Sequence, residues 1–338
     1  MIKNKGLIAT VIGLVIILAG FAIFEGMNKE PEKKTAETVK SVGILQFVSH
    51  PALDQITEGI KEGLKKEGFE EGKNLKINFQ NGQADQSKLD TMSQQLVQDK
   101  SDVLIGVATP AAQALANTTD KLPILLGAVT DPLGAGLVKS NEKPGGNITG
   151  VSDQPPVAAQ IKLAHELLPE AKKVGILYSS LEANSKFQVA QAEAAVTDLG
   201  LTAEKKAVSS TNEIAQAVQV LAQSVDFIYI PLDNTVASAM ETVVSEADKN
   251  NVPIIPSVDT MVQQGGLATV GINQKELGIQ TGKMAAAILK GEAEPATTPV
   301  YTFTDGDTII NTDQAKRFNI DLGDKADTAT LVTTGGEE

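Results

Sequence analysis

Apolar and polar positions fall into two regimes along this chain. Residues 7–24, LIATVIGLVIILAGFAIF, carry no charge and no polar face. From residue 41 onward, short apolar runs alternate with stretches of helical period. SVGILQFV (41–48) suits a strand buried on both faces of a parallel sheet. Pro51 then opens a helix in its first turn, where the missing N–H is harmless, and Leu53, Ile56, Ile60 and Leu64 share one face. Residues 75–79 predict a second strand. Leu89, Met92 and Leu96 mark a second helix, 103–108 a third strand, Thr109-Pro110 a third helix start, and 124–129 a fourth strand. Strict alternation of strand and helix predicts an α/β fold with a parallel, doubly wound sheet.

The pattern then returns. KVGILYSS (173–180) echoes SVGILQFV, SVDFIYIPLDNTVASAM (224–240) echoes SDVLIGVATPAAQAL (101–115), NVPIIPSVDT (251–260) echoes KLPILLGAVTD (121–131), and GGLATVGI (265–272) echoes GAGLV (134–138). An offset of about 130 residues predicts two similar lobes in tandem and not a short-repeat solenoid. KPGGNITGVSDQPP (143–156) reads as an extended connection with a turn. Residues 277–289 predict a helix with Leu277, Met284 and Ile288 on one face. In two-lobe folds the last segments usually cross back, so this helix is expected on the first lobe. The expected divisions are a membrane segment (1–24), a charged linker (25–40), lobe 1 (41–150 plus about 277–303), lobe 2 (151–276 plus about 304–330) and a loose tail (331–338).

The length of 338 residues accommodates two domains. The charge of −13 and the absence of Trp argue against a nucleic-acid partner, which would need a basic stripe and stacking rings. There is no Cys and there are two His, His50 and His165, so thiolate chemistry, Cys-ligated zinc and multi-His metal sites are excluded. His165 reads as a surface residue. As a helix the 18-residue apolar run would be about 27 Å long, close to the bilayer core of about 30 Å. Lys3 and Lys5 precede it, which predicts that the N-terminus stays inside and the folded part is exported; the length of the run and the lack of a clean small-x-small site after it predict an uncleaved anchor. A cleaved signal peptide is the alternative.

Ligands of doubly wound sheets sit beyond the carboxyl ends of the strands. Here those positions carry Ser49, His50, Thr109, Pro110, Thr130 and Asp131, then Tyr178, Asn184, Ser185, Asp233, Asn234 and Asp259. Many are small hydroxyl or amide residues at helix starts, where free N–H groups suit a carboxylate; Asp233 would take an ammonium. Each has a plainer reading. Ser, Thr, Asp and Asn at helix starts are ordinary caps, His50 a loop residue, Asp131 a turn holder, Asp259 a cap and Tyr178 part of the core. No P-loop, dinucleotide fingerprint or nucleophile elbow is present, so no enzyme and no cofactor is expected.

VGILQFVSHPALDQITEGIKEGL, GVATPAAQALAN, AVTDPLGAGLV, KPGGNITGVSD, GILYSSLEANS, PLDNTVASAM and ELGIQTGKMAAAILKG together resemble the substrate-binding proteins of ABC importers, in the branch related to tryptophan-binding proteins of Gram-positive bacteria. The resemblance covers about residues 41–310. It implies a type I periplasmic-binding-protein-like fold, two lobes joined by a multi-strand hinge that close on a ligand. It further implies extracytoplasmic capture of an amino acid, tryptophan first and phenylalanine second, for delivery by a monomer to a permease served by a separate ATPase subunit. Carried over, Thr109 and Ser185 would hold the ligand carboxylate, Asp233 its ammonium, and His50, Pro110 and Tyr178 its side chain. Many members are anchored through a lipidated Cys; this chain has none, and the apolar helix would replace it. A membrane-anchored sensor of another small solute is the alternative function.

Overall fold

Strand β1 (Lys40–Gln46) is apolar at most positions because neighbours cover both its edges and both its faces. In the computed structural model, which describes residues 39–303 and 306–336, it pairs in parallel with β2 (Leu75–Asn81) and β3 (Val103–Val107). β4 (Ile124–Gly127), β5 (Ile148–Ser152) and the short β11 (Tyr301–Thr302) extend the sheet, giving the order β11-β5-β4-β3-β1-β2, all parallel. The second sheet holds β6 (Lys173–Ser179), β7 (Thr202–Val208), β8 (Phe227–Ile230) and β9 (Ile254–Pro256), in the order β7-β6-β8-β9, again all parallel. Helices follow the strands in both sheets, and we call the two resulting bodies the first and second lobe.

The third sheet departs from the parallel expectation. β10 (Ala268–Gly271) pairs antiparallel with β12 (Asp307–Asn311), which pairs in parallel with β13 (Thr330–Val332). Connectivity explains this. The chain leaves the second lobe along β10, passes through the first lobe as the helix Gln274–Lys290 and β11, and returns along β12. Outgoing and returning strands run in opposite directions.

A second departure concerns 134–138, the counterpart of a strand in the repeat, which forms turns. The fifth strand of the first sheet lies instead at Ile148–Ser152, inside the stretch read as a connection. Gly150 hides it from the pattern. Its φ is +143°, and an added Cβ would sit 2.3 Å from the Leu126 nitrogen, so only glycine brings β5 this close to β4.

The core of the first lobe combines residues of β1 to β5 with Ile272, Leu277, Ala285, Ala286, Leu289 and Val300. The last helix therefore packs on the first lobe, against the helix Pro51–Lys66. Gly59 and Gly63 of one face Gly278 and Gly282 of the other; a Cβ on Gly278 would lie 2.0 Å from the Ile56 carbonyl oxygen. Two further apolar clusters cover the faces of the second sheet. One of them includes Ala52, so the start of the Pro51 helix touches the second lobe.

The apolar run 7–24 and nearly all of the linker lie outside the described residues. Among the described residues no helix is long and apolar enough to cross a membrane.

Candidate functional site

The carboxyl ends of the strands in the first and second sheets meet in a cleft. His50 follows β1 and caps the Pro51 helix from an extended backbone. Asn234 follows β8. His50 Nε2 lies 3.2 Å from Asn234 Oδ1, a bond between the two lobes. Asn234 Nδ2 donates to Glu182 at 2.6 Å, so its Oδ1 is the acceptor and His50 Nε2 the donor. Burial foremost lowers the His50 pKa, against the Asn234 bond and the charges of Glu182 and Asp54, which raise it.

A cavity of about 200 Å³ lies between the lobes, lined by Phe47, Gln83, Ala84, Gln86 and Pro110 on one side and by Leu181, Glu182, Ser209, Ser210, Thr211 and Thr235 on the other. A wider, open groove of about 730 Å³ passes His50 and runs to the start of the helix Met240–Lys249. The backbone is held in unusual states at this edge. Ala108, before the helix Thr109–Thr118, has φ +73° and ψ 158°, and Ala128 has φ +64°. For a residue with a Cβ such conformations cost on the order of 1–3 kcal/mol, and they cluster where a binding loop must be aimed.

Two buried carboxylates close off one helix terminus. Glu182 accepts from Asn234 N, Thr235 N at 2.8 Å, Thr235 Oγ1 at 2.8 Å, and the Asn184 and Asn234 side-chain amides. Asp233 accepts from Ser179 N, from Ser185 Oγ at 2.7 Å and from Val236 N at 2.9 Å. Burial, and then the charge of Glu182, pushes the Asp233 pKa up to about 8. The first amides of the helix Asn234–Ala237 are thus taken. By contrast, no side chain caps the helices Thr109–Thr118 and Ala183–Asp198. Among the described residues the Thr109 terminus has no acid beside it and can receive an anion, whereas Glu182 and Asp233 stand at the Ala183 terminus.

The structure brings His50, Thr109, Pro110, Thr130, Asn184, Ser185, Asp233 and Asn234 to the facing strand ends, all of them buried. Asn184 donates to the Leu232 carbonyl at 2.7 Å, and its buried Oδ1 has no donor. The other expected residues sit differently. Ser49 is exposed and donates to Asp54. Asp131 accepts from Gly134 N at 2.9 Å and holds its own turn. Asp259 accepts from Thr260 N at the start of its helix. Tyr178 packs on the margin of the second lobe's core, because side chains alternate along β6 and its neighbours Leu177 and Ser179 take the other face.

Two acids at this edge were not singled out by the sequence reading. Glu182 stands within YSSLEANS, one residue before a helix start, where attention fell on hydroxyls and amides. Asp153 directly follows β5, inside the stretch read as a connection. It is buried, accepts from Thr130 Oγ1 at 2.9 Å, and burial pushes its pKa up to about 6.

Two parallel-sheet lobes with a polar cleft between their strand ends are the architecture of a solute-binding protein. The family model of the ABC transporter substrate binding proteins matches residues 41–330, and the chain belongs to that family. It is 37% identical over 325 residues to the "Tyrosine-binding protein" of Clostridioides difficile, covering 95% of this chain and 94% of that protein. An ABC domain from Streptococcus pneumoniae solved in complex with L-Trp is 49% identical, with a TM-score of 0.85 over 87% of this chain and all of that one. A ligand-free, open substrate-binding protein with adhesive properties from Clostridium difficile is 39% identical, with a TM-score of 0.67 over 88% of this chain and all of that one. The fold is of the type I periplasmic-binding-protein kind, and the protein binds a solute; it is not an enzyme.

Proposed function

We propose that this protein captures L-tryptophan or L-tyrosine in the interlobe cleft outside the cytoplasmic membrane and hands it to an ABC permease. The carrying observation is the 49% identity and 0.85 TM-score to a domain holding L-Trp, with a buried polar cleft at the corresponding strand ends. The uncapped terminus at Thr109 suits the ligand carboxylate. Phe47 and Pro110 give the adjoining cavity an apolar wall for a ring. Residues 7–24 would anchor the protein, with Lys3 and Lys5 kept inside. The conformation fits this reading, because the chain matches the L-Trp complex better than the open, ligand-free relative.

Titration calorimetry of protein stripped of carried-over ligand, against each amino acid in turn, tests the proposal. Saturable binding confined to aromatic amino acids is expected. Binding of none of them, by protein shown to be folded, overturns it. The chain has no Trp, so indole emission reports bound L-Trp directly.

A further inference from the structure

The buried acids of the cleft differ in how many donors reach them. Glu182 accepts five hydrogen bonds and Asp233 accepts three. Asp153, only 5% exposed, receives the Thr130 hydroxyl on Oδ1 and nothing else from a side chain. Among the described residues no Lys, Arg or His pairs with it, and no side chain donates to its Oδ2. A carboxylate offers about four acceptor sites, and a buried charge without donors or a counter-ion is strongly disfavoured. Such a group either takes up a proton or meets a cation from outside the chain.

Its position favours the second outcome. Asp153 directly follows β5, and its partner Thr130 lies beyond the end of β4. Both stand on the sheet edge that carries His50 and Thr109. We propose that Asp153 receives the ammonium group of the bound amino acid. The proposal rests on the amino-acid reading above. It replaces Asp233, the acid that the sequence alone favours for this role: three donors already converge on Asp233, two of them on Oδ2, whereas among the described residues no side chain donates to Asp153 Oδ2. No ionisable neighbour shifts Asp153; burial raises it, and Thr130 and its own amide lower it.

The test compares wild type with Asp153→Asn on four compounds: L-Trp, L-Tyr, and their counterparts without the ammonium, indole-3-propionate and 3-(4-hydroxyphenyl)propionate. Wild type should prefer the amino acids by about ten- to hundredfold, the size of a hydrogen bond to a charged group. D153N should lose most of that preference while binding the propionates as wild type does, which also shows that its site is intact. Proton release gives a second readout. Burial pushes the Asp153 pKa up to about 6, so an ammonium bound there near that pH should expel protons from it. Calorimetry in buffers of different ionisation enthalpy measures this, and D153N should release fewer protons than wild type, since Asp233 and His50 still titrate in the cleft. A variant that keeps the wild-type preference and proton release overturns the assignment of Asp153 alone. Wild type silent toward all four compounds overturns the aromatic amino-acid reading, and this one with it.

Discussion

His50 shows how one side chain links the lobes. Its imidazole stays neutral because burial removes it from water, and its Nε2 hydrogen reaches Asn234 across the cleft. Its ordinary pKa is 6.5 and the folded value lies lower. Unfolding or opening therefore takes up a proton once the pH drops below about 6.5, and the contribution of His50 fades from there toward its lowered pKa. His50→Gln keeps a donor for Asn234 but does not titrate. Urea unfolding at pH 7.5 and 5.5 should show wild type losing stability relative to H50Q on acidification, by at most about 1.4 kcal/mol per pH unit. A difference independent of pH would remove His50 from this role. The comparison must be made as a difference, because Asp153 and Asp233, raised to about 6 and about 8, act in the opposite direction. Each binds its proton more tightly when folded, so each contributes stability at low pH that is lost as the pH rises through those values.

At the scale of elements, the pairing of the Pro51 and Gln274 helices holds the returning chain to the first lobe. Four glycines let the two backbones touch, and leucines and alanines fill the flanks. Gly278→Ala puts a methyl 2.0 Å from the Ile56 carbonyl oxygen, which only a shift of one helix relieves. Overpacking of this kind lowers stability by roughly 1–3 kcal/mol. Gly146→Ala, where nothing lies within 4 Å of the new Cβ, should leave stability within about 0.5 kcal/mol. Denaturant titration of the two variants checks the contrast, and equal midpoints would show that the helices separate without loss. The same elements aim the cleft, because the Pro51 helix begins at His50 and reaches the second lobe through Ala52.

For the whole molecule, the question is whether the lobes move. Apart from the His50–Asn234 bond, the packing of Ala52 and the approach of the helix Thr109–Thr118 to the helix Ala183–Asp198, the first and second lobes are linked among the described residues chiefly by their crossing segments. Hinge closure on a ligand should give a smaller radius of gyration in solution scattering with L-Trp than without it. Superimposable profiles from protein that binds L-Trp would exclude closure.

Local pattern was enough for the strands β1 to β4, β6, β8 and β9, for the Pro51 helix and for the parallel order, because each rests on periodicity or on a cap within a few residues; β7, a largely exposed edge strand with two lysines, gave no such signal. Local pattern was enough for the family as well, since the motifs sit on those same strand ends. It failed at β5, where Gly150 and neighbouring Gly and Pro residues mask a strand that only its approach to β4 requires. It also failed at the β10–β12 pair, whose direction follows from the route of the chain through the other lobe. The site divided along the same line. That His50, Thr109, Asn184 and Asp233 stand at strand ends is a matter of position along the chain. Which acids are already satisfied is not: Asp233 and Glu182 are occupied, and Asp153 is not, because donors from Ser179, Ser185, Thr235 and Asn234 converge on the first two only after the second lobe has folded. Donor counts are properties of neighbours in space, and those neighbours lie about fifty residues away in the chain.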